Sequence, residues 1–118
     1  MSRLRGIARF KFHEGKVAEF KRLSEQCMKT VREKEPGTLQ YDIYFNADES
    51  QCVVYEEYVD SDALITHLNN VGELMAPIMD TGTITGELLG APSKELAKMM
   101  ADNDQPRLFS PFLIMNPE

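Results

Sequence analysis

At 118 residues and a formal net charge of −6, with acids and bases interspersed, the chain suits a single domain and carries no basic footprint for a phosphate backbone, which argues against nucleic acid as a partner. Hydrophobic residues at 42% and charged residues at 27% are ordinary for a globular protein and exclude a disordered or fibrous chain. No apolar run approaches the length of a membrane span and no secretory h-region precedes the first strand, so the expectation is no membrane partner and a cytoplasmic location.

Leu4 to Phe12 alternates Leu4, Gly6, Ala8, Phe10 and Phe12 against Arg5, Ile7, Arg9 and Lys11, the signature of a strand with one buried face. Arg3, Arg5, Arg9 and Lys11 make this strand locally basic, which reads as a solvated face balanced by acids elsewhere. From Glu14 to about Glu35, Val17, Phe20, Cys27 and Val31 recur at helical spacing, flanked by Leu23 and Met28. Glu35-Pro36-Gly37 ends this helix, since proline disfavours helical geometry before it and glycine permits a left-handed exit. Thr38 to Phe45 is a second strand, and Asn46 to Ser50 a turn into a third, with which it pairs as an antiparallel hairpin.

The third strand runs straight into a helix. Aromatic and β-branched residues alternate with acids from Val53 to Val59, after which Asp60 or Ser61 caps a helical apolar pattern of Ala63, Leu64, His67, Leu68 and Val71. Two polar residues sit oddly here. Glu56 shares a strand face with Cys52, Val54 and Tyr58, and His67 completes the apolar stripe of the helix, so a carboxylate and an imidazole both point inward. Leu74, Met75, Ile78 and Met79 form a second short stripe, with a break expected at Pro77. Thr81 to Leu89 reads as a fourth strand, Ser93 to Met100 as a short helix, and Arg107 to Met115 as an edge strand or extended arm too apolar for a free end. Cys27 and Cys52 lack CxxC spacing and nearby ligand residues, so both read as reduced packing cysteines and no metal site is expected.

The order strand, helix, strand, strand, helix, strand matches the α+β ferredoxin-like βαββαβ plan, an antiparallel sheet with its helices on one face. The whole chain, 1–118, forms one domain, with 91–118 as a helix and arm packing on a dimer. Val53, Tyr55 and Val59 put apolar surface on the other sheet face, and a second copy of the sheet is its natural cover, so a homodimer is expected.

The stretch Tyr55-Glu56-Glu57-Tyr58-Val59-Asp60, then Ala63-Leu64 and His67-Leu68, resembles the strand-to-helix signature of the antibiotic biosynthesis monooxygenase family. Glu35-Pro36-Gly37 and Tyr41 to Phe45 support the resemblance, which spans roughly the first ninety residues. It implies a dimeric α+β barrel and, by analogy with quinol monooxygenases, oxidation of a small phenolic or quinol-like aromatic without any cofactor. Relatives often have tryptophan where Tyr58 stands and a second histidine near Val71-Gly72-Glu73, and both losses weaken a carry-over of heme degradation.

On this reading His67 is the catalytic base, Glu56 orients it, and Tyr58 or Tyr41 hydrogen-bonds a quinol oxygen or developing oxyanion. Phe20, Met75 and Met79 supply flat or adaptable substrate-binding walls. Two alternatives stand beside it: an isomerase of a small carbonyl compound using the same base, and a non-catalytic small-ligand-binding dimer in which His67 is a core residue satisfied by a buried carboxylate.

Overall fold

The computed structural model describes residues 3–117. Five strands and three helices follow the order β1 (Leu4–Phe12), α1 (Val17–Lys34), β2 (Thr38–Phe45), β3 (Gln51–Tyr58), α2 (Ser61–Met79), β4 (Gly82–Leu89), α3 (Lys94–Met100) and β5 (Arg107–Phe109). The sheet order is β2-β3-β1-β4-β5. The first four strands pair antiparallel as the ferredoxin-like plan requires, and β5 joins β4 in parallel, so the complete sheet is mixed and stays open. No helix among the described residues is long and apolar enough to cross a membrane.

Local chemistry accounts for most element boundaries. Asp60 accepts a hydrogen bond from the Ala63 amide at 2.9 Å and caps α2, and Ser93 does the same for α3 through the Leu96 amide at 3.2 Å. α1 begins at Val17 rather than Glu14, because Gly15 takes a positive φ and the Lys16 amide closes a turn onto the His13 carbonyl. Its exit also differs from expectation. Gly37 is not left-handed; a Cβ there would lie 2.7 Å from that of Ala63, so glycine serves the close approach of this turn to α2.

α2 continues unbroken through Pro77 to Met79. A proline near the last turn removes one backbone donor, and the Asp80 amide still bonds to the Ala76 carbonyl. The apolar stripe from Leu64 to Ile78 is therefore one continuous face.

Both long helices cover one side of the sheet. The core falls into three clusters: Leu4, Tyr58, Leu64, Leu88 and Leu96; Phe10, Phe20, Cys52 and Val54; and Cys27, Val31 and Val71. Both cysteines are buried and free. On the outer face Arg3 and Arg5 reach Glu57 at 3.3 and 3.9 Å, and Arg9 pairs with Glu87. The basic strand is thus balanced by acids of its neighbours. The C-terminal arm lies along its own chain's β4 over Arg107–Phe109, while Phe112, Leu113 and Met115 beyond it stand in solvent, Phe112 at 97% exposure.

Candidate active site

The three clusters do not close on one another. Between them lies a cavity of about 490 Å³, bounded by α1, α2, α3 and the inner sheet face. Its floor follows from residue size and register: Gly6 sits between Glu56 and Leu88, and Ala8 between Val54 and Gly86. A Cβ on Gly6 would meet only that of Glu56, at 3.8 Å. Two small side chains in the middle of an inward face leave unfilled volume where Leu or Phe would close the core.

His67 hangs over this floor from α2, 4% exposed. Its Nδ1 lies 2.8 Å from Oε1 of Glu35, a carboxylate whose side chain is 1% exposed. Glu35 is itself held, accepting from Thr38 Oγ1 at 2.8 Å and from Asn70 Nδ2 at 3.2 Å. A carboxylate is an acceptor only, so Nδ1 carries the hydrogen, and in the neutral ring the lone pair sits on Nε2. Nε2 stands 4.0 Å from Oε1 of Glu56, beyond hydrogen-bond reach. The hydrogen bond to the ring is therefore made by Glu35 and not by Glu56, because the end of α1 brings its carboxylate closer to the ring than β3 does.

Glu56 is nonetheless the second polar group of the cavity. Its side chain is 19% exposed and lines the cavity, and Oε1 accepts the Tyr58 hydroxyl. Burial pushes its carboxyl above the ordinary 4.5, aided by the charge of Glu35 and opposed by His67 and by the Tyr58 hydrogen bond. Burial, followed by the charge of Glu56, also drives the phenols of Tyr41 and Tyr58 upward, so both remain hydrogen-bond donors at neutral pH. Desolvation raises the Cys27 thiol, which lies 3.3 Å from the Tyr41 hydroxyl.

Of the residues the sequence singles out, His67, Glu56, Tyr41, Phe20, Met75 and Met79 all border the cavity. Met75 and Met79 are partly exposed at its rim, and Phe20 is packed against Phe10 at 4.9 Å between ring centres. Tyr58 does not border it. The ring is fully buried between β1, α2 and α3, its hydroxyl is given to Glu56, and its face lies 5.6 Å from the His67 ring between centres, so Tyr58 supports both groups from behind and does not line the cavity itself. Glu35 is the residue that sequence reasoning misses. A signal for it exists: Cys27, Val31 and Glu35 step by four along the buried stripe of α1, so the last of them lies beneath the helix. Among the described residues no group of three or more His, Cys, Asp or Glu is arranged to hold a metal ion.

Comparison with known proteins agrees with this architecture. The structure of MupZ from Pseudomonas fluorescens superposes with a TM-score of 0.78 at 25% identity, covering 98% of this chain and 94% of that one. Rv0793 from Mycobacterium tuberculosis follows at 0.67 and 25%, covering 78% of this chain and 96% of that one. A variant of SnoaB, a cofactor-independent oxygenase from Streptomyces nogalater, gives 0.65 at 19%, covering 78% and 95%, which shows the shared fold. No curated protein matches the sequence. The family model for antibiotic biosynthesis monooxygenases matches residues 4–72, the segment from β1 through His67 that builds most of the site, and the chain belongs to that family.

Proposed function

We propose that this protein is a cofactor-independent monooxygenase of a phenolic or quinol-like substrate, with His67 as the base. Family membership supports a monooxygenase in general. The observation that carries the finer reading is a buried imidazole whose Nδ1 is tied to Glu35 and whose Nε2 faces an apolar cavity. In such a site Nε2 takes the proton from the substrate hydroxyl, and the resulting anion is the electron donor. One electron passes to oxygen, the substrate radical and superoxide join in a C–O bond, and the imidazolium returns its proton to the peroxide. Loss of water then breaks the O–O bond, the hydrogen on the same carbon leaves as a proton, and a carbonyl remains. The substrate supplies all four electrons that reduce the oxygen molecule, two in forming the peroxide and two from the C–H bond as the O–O bond breaks.

Glu35 holds the ring, Tyr41 offers a donor for the developing oxyanion, and Tyr58 fixes the rotamer of Glu56. Oxygen consumption with a panel of hydroquinones tests the proposal. Turnover should fall by about 100-fold or more in His67→Ala. No uptake with any quinol, or a His67→Ala rate equal to wild type, refutes it.

A second reading draws on Glu56. A carboxyl that burial shifts toward its protonated form, 4.0 Å from a basic nitrogen, can give and take protons at neighbouring substrate atoms, as an isomerase of a small carbonyl compound requires. Anaerobic incorporation of deuterium next to a carbonyl, lost in both Glu56→Gln and His67→Ala, would establish this reading in place of the first. Its absence across a carbonyl panel would remove it.

The chain on this proposal works as a homodimer. Apolar Tyr44, Val53 and Phe109 on the open sheet and Phe112, Leu113 and Met115 on the arm need a cover. Sedimentation equilibrium at micromolar concentration should return twice the chain mass, and a monomer would refute it.

A further inference from the structure

We propose that the cavity is built for an amphiphile: a hydroxylated polar head at His67 and Glu56, and a flexible aliphatic chain lying across Gly6 and Ala8 toward α3. The inference uses the same head site as the proposed oxygenase but does not depend on oxygen being the co-substrate.

Three observations lead to it. The first is volume. A cavity of roughly 150 Å³ accommodates benzene, so a single ring leaves most of the 490 Å³ here unfilled. The second is where that spare volume lies. Tyr41 and Glu56 are neighbours in one row of the inner sheet face, with His67 of α2 facing Glu56 from above at 4.0 Å, and the next positions along this row are Gly6 and Leu88, with Leu96 of α3 packed on Leu88. The empty space therefore extends away from the head site toward the α3 wall, over residues that lack bulk.

The third is the character of that wall. Aromatic rings border the cavity on the Phe10, Phe20 and Tyr41 side, where a planar head would stack. At the α3 side the lining is Leu64, Leu88, Leu96, Met99 and Met100, joined by Asn103, Gln105 and Pro106 of the segment that follows, with no aromatic ring among them. Unbranched thioether side chains adapt to a guest with many rotamers, whereas a rigid fused ring gains most from flat partners. The α3 to β5 segment lies beyond residues 4–72, the segment the family model matches. It is held to the floor by Gln105, whose Oε1 accepts from the Gly86 amide at 2.7 Å, so this wall is a fixed part of the site. It sets how long the chain can be.

Calorimetric titration of the full chain with 4-alkylphenols from methyl to octyl tests this. Affinity should rise by about fourfold per methylene, the increment for burying a CH₂, at least as far as butyl, and then level off. Ala8→Leu fills the floor, and Met99→Trp narrows the rim from an exposed position; each should bring the plateau to a shorter chain, with folding checked by thermal melting. Three results would overturn the inference: an affinity flat across the series, a plateau unchanged in both variants, or 2-naphthol binding more tightly than 4-butylphenol at the same carbon count. Chain-dependent binding without oxygen uptake would sink the oxygenase reading alone, and turnover without chain dependence would sink this one alone.

Discussion

Glu56 and Glu57 are neighbours in sequence and opposites in circumstance. Glu57 projects from the outer sheet face, where Arg3, Arg5 and the Tyr55 hydroxyl surround it. Glu56 projects inward, where Tyr58 donates one hydrogen bond, another carboxylate lies nearby, and His67 is just out of reach. One residue of strand advance moves a carboxylate from a screened surface, where an ion pair is worth about 0–1 kcal/mol, to a desolvated pocket where its protonation state is in play. A carboxylate on this fold acquires chemistry from the face it occupies rather than from its identity.

The buried side is where substitution should cost most. Glu35→Ala strands three donors, on His67, Thr38 and Asn70, and should destabilise the protein by about 3 kcal/mol in urea unfolding. A loss as small as that expected on the outer face would show that this network is not closed as described. Glu57→Gln weakens contacts on a partly solvated face and should cost less than about 1 kcal/mol, shrinking further in high salt.

The subtlest contrast is in pH. A carboxyl whose folded pKa is raised favours folding below its ordinary value, 4.5 for Glu56, and that contribution is lost as pH rises through the folded value. The difference in stability between wild type and Glu56→Gln should therefore grow in favour of the variant from pH 4.5 upward. A difference independent of pH would place Glu56 in contact with bulk water.

Much of this molecule is legible from local pattern. The alternation in Leu4 to Phe12 marks β1 to the residue, because a strand's faces are written with period two, and the turn at Asn46 to Ser50 marks the end of β2 at Phe45. His67 is recognisable for a similar reason, as a polar side chain at an apolar position of a 3.6-residue repeat. Pro77 misleads because a proline's effect depends on how many backbone bonds remain after it, and in α2 almost none do. Gly37 misleads because glycine is permissive in two ways, in dihedral angle and in bulk, and the turn uses the second.

The site itself divides along the same line. Residue types and repeats are enough to put an imidazole, a carboxylate and aromatic walls on the inner side of an α+β sheet, since each element's burial pattern is a property of its own few turns or residues. Which carboxylate reaches the ring is a matter of three-dimensional assembly: Glu35 and His67 are separated by 32 positions, and their 2.8 Å contact exists because the tight turn at Gly37 presses the end of α1 against α2. So is the cavity. Empty volume is what remains after helices settle on a sheet at a distance set by their largest contacts, and the gap above Gly6 and Ala8 belongs to no single stretch of chain.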